Sequence, residues 1–266
     1  MKQRIITAII AAALFIPFVI YGKVPFTLLV LAMAVVGFYE ILKMKGISIF
    51  SVPGFMGLLT LIMLVIPKDW GSEVVQAIGY SSVLMVVYGL MMLLLIYVVL
   101  VKNKITFDEI GFILLGAFYV GLGFHYLIET RNSGLQYVVY CLLVVWTTDS
   151  GAYFVGRKLG KNKLWPEISP KKTVEGFVGG IVIAVIFAVG MQAIYPIVDS
   201  YVSLIFITIF ASIIGQMGDL VESAIKRHFD VKDSGTILPG HGGILDRFDS
   251  LLFVVPLLHF LYLIGN

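Results

Sequence analysis

Nine runs of about 20 apolar residues dominate this chain and leave little sequence outside them. A helix of this length crosses the ~30 Å hydrocarbon core of a bilayer. The mean hydropathy is +1.00 and charged residues make up 13% of the chain, against about 25% in soluble domains. We therefore predict an all-α, polytopic integral membrane protein with about nine transmembrane helices, forming a single membrane domain over residues 1–266. The runs cover approximately residues 5–22, 24–42, 47–67, 79–101, 110–128, 135–156, 174–194, 201–225 and 248–264.

Basic residues are distributed unevenly over the loops between these runs. With nine spans, the N-terminus and every second loop share one side, and this side carries 16 of the 19 lysine and arginine residues. The opposite side carries Lys23, Lys68 and Arg131. Since basic loops stay in the cytoplasm, we predict a multi-pass protein of the inner (cell) membrane with a cytoplasmic N-terminus and an external C-terminus. Lys2 and Arg4 would also suit a signal peptide, but no convincing cleavage site follows, which favours a retained first span.

Acidic residues in or beside the runs gather on the cytoplasmic side. Asp149 lies eight residues before Arg157, and Asp219 lies seven before Lys226. At 1.5 Å per helical residue, each acid is roughly 10–12 Å from a basic residue at that end. Ionisable groups inside spans are costly and indicate function by default, although each acid could instead pair with a buried lysine or hydroxyl in helix packing. Five acids are predicted to lie at similar depth: Asp149, Glu175, Asp219, Asp246 and Asp249.

Asp219 and the pair Asp246 and Asp249 belong to two groups of polar residues, and the members of each group share a helix face. The first group has i, i+3, i+4, i+7 spacing and comprises Asp219, Glu222, Ser223 and Lys226. Asp246 and Asp249 are three apart at a helix start and form the second. Carboxylates from two helices at one depth make an oxygen site that suits Mg²⁺ and not zinc. Glu222 and Lys226 could also form a simple i, i+4 salt bridge.

Other ionisable residues receive more modest interpretations. His228 and His241 lack the paired His or Cys partners of a zinc site and are interpreted as hydrogen-bonding or phosphate-contacting groups. Glu40, near the end of the second run, is interpreted as an interfacial ion-pair partner of Lys43.

The basic loop 157–173 ends in a possible phosphate cradle. Ser169-Pro170-Lys171-Lys172-Thr173 immediately precedes the predicted seventh helix. Backbone N–H groups, a hydroxyl and a lysine at a helix N-terminus favour a bound phosphate. Glu175, in the first turn, could cap the helix or hold a metal. The other cations of the loop are interpreted as topology or headgroup charges: Arg157, Lys158, Lys161 and Lys163.

The basic loop 226–247 contains a cluster of glycines. Gly240, Gly242 and Gly243 allow the backbone to approach a ligand closely and expose its N–H groups. A Gly-Gly pair is usually only a turn, but lysines, arginines and aspartates flank this one on both sides, which favours an anion site. The Gly-x4-Gly-Lys-Ser/Thr order of a Walker A loop and the Gly-x-Ser-x-Gly of a nucleophile elbow are absent from the sequence.

These segments resemble the phosphatidate cytidylyltransferase (CDP-diacylglycerol synthase) family. Residues 223–249, SAIKRHFDVKDSGTILPGHGGILDRFD, match the family pattern S-x-Φ-K-R-x4-K-D-x-G-x2-L-P-x-H-G-G-Φ-x-D-R-Φ-D throughout, where Φ is apolar. Residues 149–153 with Gly156 and Arg157, and residues 169–176, agree with two further family segments. The first ~130 residues resemble the family only in hydropathy. The resemblance therefore rests on the C-terminal half.

The resemblance implies an enzyme that condenses CTP with phosphatidate to give CDP-diacylglycerol and pyrophosphate for phospholipid biosynthesis. It further implies Mg²⁺ dependence, assistance by K⁺ and a homodimer, with no nucleic-acid partner. Spans within 5–128 would be scaffold, and spans within 135–264 with loops 157–173 and 226–247 would be catalytic. Asp219 and Asp246 would bind the metal, and Asp249 and Asp149 would support it or the nucleotide, with Asp249 a further metal ligand. These four acids and Lys226 form the implied catalytic set. The implied substrate contacts are Ser169, Lys171, Lys172, Thr173, Lys226, Arg227, Lys232, His241, Gly242, Gly243 and Arg247.

Two competing functions fit the sequence less well. An ion-coupled transporter would place its acids near the bilayer midplane, with repeat symmetry, whereas these acids gather at one surface and no repeat is visible. A CDP-alcohol phosphatidyltransferase would carry the pattern D-x2-D-G-x2-A-R-x8-G-x3-D-x3-D, which is missing. The resemblance therefore implies Mg²⁺-assisted, in-line attack of the phosphatidate phosphate on the α-phosphate of CTP at the cytoplasmic face.

Overall fold

The structure is a computed structural model that describes residues 2–261. Helices account for about three quarters of the described chain. The first six are α1 (Lys2–Tyr21), α2 (Lys23–Met44), α3 (Val52–Val65), α4 (Lys68–Ala77), α5 (Val83–Leu100) and α6 (Phe107–Ser133). The remainder are α7 (Leu135–Leu159), the strands β1 (Lys163–Trp165) and β2 (Ser169–Thr173), α8 (Val174–Ile194), α9 (Tyr201–His228), α10 (Leu245–Phe248) and α11 (Leu251–Phe260).

The chain forms two compact units that are not contiguous in sequence. The first unit contains residues 1–129 together with residues 233–245. The second contains residues 130–232 and 246–266. The loop between α9 and α10 therefore belongs mostly to the first unit, although α9 itself belongs to the second.

The predicted class, an all-α polytopic membrane protein, is confirmed. Each of the nine apolar runs coincides with one helix, but only six helices in the described chain are long and apolar enough to cross a membrane: α2, α5, α6, α7, α8 and α9. The apolar parts of the other three are shorter and comprise Ile9–Tyr21, Val52–Val65 and Leu251–Phe260. The count of nine spans is therefore not confirmed, and residues 262–264 of the predicted ninth span lie outside the described residues.

Short polar residues set several helix starts. Ser51 begins α3 by accepting a hydrogen bond from the backbone N–H of Gly54, and Pro53 occupies the first turn. Thr106 and Glu109 exchange hydrogen bonds in a capping box at the start of α6. These caps satisfy N–H groups that a helix leaves without partners, so they fix where the helices begin.

Within the second unit, glycines bring α7 and α8 into close contact. A Cβ atom on Gly176 would lie 2.7 Å from the carbonyl oxygen of Ala152, and one on Gly180 would lie 2.7 Å from that of Thr148. A small-xxx-small spacing of this kind lets membrane helices approach backbone to backbone. The start of α8 is thereby held against the C-terminal half of α7.

Hydroxyl pairs connect α7 to α9. The side-chain oxygens of Tyr140 and Thr208 lie 2.7 Å apart, and those of Thr148 and Ser212 lie 2.8 Å apart, all in buried positions. Such pairs satisfy hydroxyl groups away from water. These two pairs fix the rotation of α9 about its axis relative to α7. The rotation in turn sets the direction in which Asp219 projects from α9.

Candidate functional site

A β-hairpin places Lys172 at the start of α8. Strands β1 and β2 pair antiparallel, with Lys163 opposite Thr173 and Trp165 opposite Ser169. Thr173 caps α8, because its hydroxyl oxygen accepts a hydrogen bond from the backbone N–H of Gly176 at 3.1 Å. The sequence led us to expect a loop here, and the hairpin is a finding of the structure.

Glu175 anchors the base of this hairpin. Its carboxylate accepts hydrogen bonds from the backbone N–H groups of Lys161 and Asn162 and from the side-chain amide of Asn162, at 2.8–3.2 Å. The helix cap is supplied by Thr173 instead. The Glu175 carboxylate thus holds the segment that enters β1, and it also interacts with its own backbone N–H in the first turn of α8. A role of Glu175 in metal binding stays a prediction.

The central ion pair of the second unit joins the hairpin to α9. The Lys172 ammonium lies 2.7 Å from Oδ2 of Asp219. The two side chains are 27% and 32% exposed, so solvent and solutes reach both. The pair therefore combines a strong charge-assisted contact with access for a ligand.

A cavity of about 320 Å³ opens around this pair. Gln216 fixes one wall, because its side-chain amide donates a hydrogen bond to the carbonyl oxygen of Phe177 at 3.2 Å. Arg157 donates a hydrogen bond to the hydroxyl of Tyr153 at the same cavity. The other residues that line it are Asp149, Ala152, Gly156, Leu164, Lys171, Lys172, Thr173, Gly176 and Asp219. Positive and negative groups thus share one accessible space, as a site for a phosphate and a cation requires.

Next along α9, Lys226 links two further acids. Its ammonium lies 2.7 Å from Oε2 of Glu222 and 2.5 Å from Oδ1 of Asp246. Glu222 is 1% exposed, and its second oxygen, Oε1, is buried without a hydrogen-bond partner. The simple i, i+4 salt bridge considered for Glu222 and Lys226 is present, but Asp246 extends it into a triad.

Asp249 lies close to the same acids. Gly218 permits this approach, because a Cβ atom there would lie 2.7 Å from the carbonyl oxygen of Asp249. The Asp249 carboxylate interacts electrostatically with those of Asp219, Glu222 and Asp149, and it accepts a hydrogen bond from the backbone N–H of Ser250 at 2.7 Å.

Cations surround the acids of this cluster. Arg247 and Lys172 both act electrostatically on Asp149. Lys171 and Arg157 line the same cavity. The carboxylates are Asp149, Asp219, Glu222, Asp246 and Asp249, and the cations are Lys171, Lys172, Arg157, Lys226 and Arg247.

The cluster suits a hard divalent cation by its donor chemistry. Carboxylate oxygens are the ligands that Mg²⁺ prefers, and Oε1 of Glu222 is a buried acceptor without a donor. No group of three or more His, Cys, Asp or Glu side chains forms a ready-made metal centre within residues 2–261. Instead, lysine ammonium groups lie against Asp219 and Asp246. Metal binding would therefore require these two lysines to move or to share the carboxylates.

The remaining predicted contacts of the second unit lie at its surface. Lys171 is exposed on β2 beside the cavity, and Ser169 is half-buried at the start of that strand. Arg227 donates a hydrogen bond to the carbonyl oxygen of Val231 across the end of α9. Lys232 is exposed. Their roles as phosphate contacts stay predictions.

His241, Gly242 and Gly243 belong to the first unit. The backbone of this turn pairs Leu238 with Gly242, and Gly242 has a φ of 83°, which favours glycine. Gly243 is buried, and its neighbour in space is the carboxylate of Glu40. Gly243 thus lies against the carboxylate of Glu40. The roles of His241, Gly242 and Gly243 as substrate contacts stay predictions.

The interpretation of Glu40 as an interfacial partner of Lys43 is wrong. Glu40 is 2% exposed and accepts hydrogen bonds from Ser234, Ile244 and Leu245. The signal for this role was available in the sequence, because a carboxylate inside the apolar run VVGFYEIL indicates a buried polar contact. Gln216 and Tyr153 were also missed, since single polar residues of these types carry no spacing pattern.

Known proteins are similar to this chain over nearly its whole length. A family model described as "Cytidylyltransferase family" matches residues 2–264. The chain belongs to this family. It is 56% identical over 264 residues to the phosphatidate cytidylyltransferase of Bacillus subtilis, covering 98% of this chain and 97% of that protein. It is 46% identical to the Staphylococcus epidermidis and 44% identical to the Staphylococcus aureus proteins of the same name, each over 261 residues and 98% of both chains.

The family predicted from residues 149–176 and 223–249 is thus confirmed, and with it the class of enzyme, a nucleotidyltransferase. The match extends over both units of the chain, including the N-terminal helices, for which the sequence offered only hydropathy. Glu40 and the segment that surrounds it therefore lie within the matched region.

Proposed function

We propose that this membrane enzyme transfers the cytidylyl group of CTP to phosphatidate, forming CDP-diacylglycerol and pyrophosphate for phospholipid biosynthesis. The observation that carries the proposal is the Lys172–Asp219 pair in an accessible cavity. Glu222 and Lys226 lie on the same helix as Asp219, and Lys226 also binds Asp246 of α10. The names of the relatives, phosphatidate cytidylyltransferase, support the choice of both substrates.

The reaction needs no general base. The nucleophile is a phosphate oxygen of phosphatidate, and the second pKa of a phosphate monoester, about 6, leaves it largely ionised at neutral pH. That oxygen forms a bond to the α-phosphorus of CTP, the bond from this phosphorus to the β-phosphate oxygen breaks, and pyrophosphate leaves with the electron pair. The principal obstacle is repulsion between two polyanions, so the site must supply positive charge and alignment.

The lysines and arginines around the cavity fit this requirement. Lys171, Lys172 and Arg157 line the cavity and would neutralise the phosphate oxygens that enter it. In the structure Lys172 is held by Asp219, so its ammonium is positioned before a substrate arrives. A charge fixed in advance stabilises a transition state without the cost of reorganisation. The hairpin base clamped by Glu175 keeps this lysine against α8.

A divalent cation belongs to the proposal. Asp219, Asp246 and Asp249 would hold Mg²⁺, with Asp149 supporting them, and K⁺ is a further candidate for the same negative region. Bound Mg²⁺ would supply electrostatic stabilisation of the phosphate charge. Lys226 binds both Glu222 and Asp246, and its charge would offset the repulsion between these two carboxylates.

The proposal includes a location for the site. The basic loops support a site at the cytoplasmic face of the inner membrane, where CTP is dissolved and where phosphatidate would present its headgroup. A site about 10 Å below the cytoplasmic helix ends would serve both substrates. The N-terminus would be cytoplasmic, the C-terminus external, and the functional form a homodimer.

The direct test uses the purified protein in vesicles that contain phosphatidate. CTP labelled at the α-phosphate is added, and lipids are extracted and separated. The proposal predicts labelled lipid with phosphatidate as acceptor and none with diacylglycerol, which lacks the attacking phosphate. Labelling of diacylglycerol, or no labelling of either lipid, would contradict it.

A further inference from the structure

The segment 233–245 folds around one buried carboxylate. Glu40, in α2, is 2% exposed. Its Oε2 accepts hydrogen bonds from the Ser234 hydroxyl at 2.9 Å and from the Leu245 N–H at 3.1 Å, and its Oε1 accepts one from the Ile244 N–H at 2.9 Å. The donors come from both ends of a segment that is almost 200 residues away in sequence. One side chain thus holds the two ends of the segment together.

A carboxylate in this position is costly unless its environment supplies donors. Burial of an unpaired charge is strongly unfavourable, whereas hydrogen bonds from backbone N–H groups to a carboxylate are among the stronger ones in proteins. The N–H groups of Ile244 and Leu245 are consecutive and both point at Glu40. The dependence is mutual, since the segment satisfies the carboxylate and the carboxylate orders the segment.

Two glycines of the segment are required by Glu40. A Cβ atom on Gly235 would lie 2.5 Å from Oε1 of Glu40, and its three nearest neighbours would all be atoms of that side chain. A Cβ atom on Gly243 would lie 2.3 Å from the same oxygen and 2.3 Å from the Ser234 hydroxyl. At distances below 3.0 Å, a side chain at either position would force the Glu40 carboxylate to shift. These glycines therefore make room for a glutamate of the protein.

We propose that Glu40 is a positioning residue for the reaction. The carboxylate fixes the backbone of residues 233–245, and Leu245, whose N–H it accepts, directly precedes Asp246 in the chain. Loss of Glu40 would release the backbone that leads into Asp246 and Arg247. The effect of Glu40 on cytidylyl transfer rests on the proposed function. The ordering of residues 233–245 by Glu40 does not.

Hydrogen exchange measures the structural part without any substrate. In the full-length protein in detergent, Glu40→Ala is expected to speed exchange of the Ile244 and Leu245 amides by at least about tenfold, because local opening no longer breaks these hydrogen bonds. Exchange in the hairpin 161–173 is expected to stay unchanged. Glu73→Ala, an exposed glutamate of α4, is the matched control. Unchanged exchange at residues 244 and 245 in Glu40→Ala would overturn the proposal.

A double-variant cycle tests why Gly235 is a glycine. Gly235→Ala alone is expected to slow cytidylyl transfer, because its methyl group displaces Glu40. In the Glu40→Ala background the same substitution is expected to have less than about a threefold further effect, as for two residues that act as a unit. Equal effects of Gly235→Ala in both backgrounds would contradict the assignment.

The kinetic constants separate positioning from folding. We expect Glu40→Ala to lower kcat by at least about tenfold with less than about a threefold change in the KM for CTP, and Glu40→Gln to recover part of kcat because its amide oxygen still accepts hydrogen bonds. Full activity of Glu40→Ala, or a Glu40→Gln variant no better than Glu40→Ala, would overturn the role. Should Glu40→Ala not fold, Glu40→Gln and Gly235→Ala serve for both measurements. A wild-type protein that is inactive with CTP and phosphatidate would refute the proposed function alone. Hydrogen exchange would still test whether Glu40 orders residues 233–245.

Discussion

The ammonium of Lys172 lies 2.7 Å from the carboxylate of Asp219, and this pair joins the β-hairpin to α9 at the edge of an accessible cavity. The two residues are far apart in sequence and belong to elements of different kinds. Their contact brings the basic segment 169–173 and the acidic face of α9 into one site. It is therefore the relationship on which the proposed chemistry depends.

Replacement of Lys172 should weaken substrate binding. We expect Lys172→Ala to raise the KM for CTP or phosphatidate by roughly 10–100-fold, because a hydrogen bond to a charged group contributes about 1.5–3 kcal/mol. Initial rates over a range of both substrates measure this. Lys158→Ala, an exposed cation at the end of α7, is the control and should leave both constants unchanged. A Lys172→Ala enzyme with wild-type KM values would assign this lysine to membrane topology instead.

Removal of the Lys226 ammonium should destabilise the protein through its two acids. Lys226→Met leaves Glu222 and Asp246 buried without their shared cation, and breaking a buried pair in this way costs about 3–5 kcal/mol. We expect a clear fall in Tm, measured by thermal unfolding in detergent. Glu222→Gln in the same chain removes one of the two charges and should recover part of the lost Tm. Equal Tm values for the single and double variants would show that Glu222 does not contribute to this balance.

Close packing of α7 on α8 should depend on Gly180. Gly180→Ala places a methyl group 2.7 Å from the carbonyl oxygen of Thr148, and overpacking of this kind costs roughly 1–3 kcal/mol. We expect a lower Tm. Gly190→Ala, in the same helix, is the matched control, because a Cβ atom there meets nothing within 4 Å. The same Tm shift in both variants would attribute the effect to helix propensity and not to the contact.

Removal of divalent cations should stop the reaction. The site offers carboxylate oxygens as ligands, so we expect activity to vanish with a chelator and to return with Mg²⁺ but not with Zn²⁺. Cytidylyl transfer before and after chelation measures this. Full activity in the presence of excess chelator would remove the cation from the proposal.

Much of the architecture follows from local sequence properties. Hydropathy located nine helices because apolar length is a property of each segment alone, and the motifs at residues 149–157, 169–176 and 223–249 indicated the family. Hydropathy did not give the span count, since α3 and α11 begin later than their apolar runs. It also did not reveal the hairpin, whose strands are three and five residues long and contain Pro170.

The contacts of the site depend on long-range packing that spacing cannot reveal. Spacing placed Asp219, Glu222 and Lys226 on one face of a helix, and the structure agrees. It could not show that Lys172 would reach Asp219, because that contact joins the β-hairpin to α9, two elements that are separate in sequence. Glu40 was misread for the same reason. Its partners begin at Ser234, so only the folded chain brings donor and acceptor together.

The central claim is that the Asp219 carboxylate serves cytidylyl transfer and not only folding. The most direct measurement compares purified wild-type protein with Asp219→Asn, using CTP labelled at the α-phosphate, phosphatidate vesicles and Mg²⁺, while pyrophosphate release is followed in the same samples. The account predicts equal amounts of labelled lipid and pyrophosphate from the wild type, and a loss of at least about 100-fold from Asp219→Asn at unchanged Tm, as when one electrostatic catalytic group is removed. Asp219→Asn protein that retains more than roughly a tenth of wild-type transfer would contradict it.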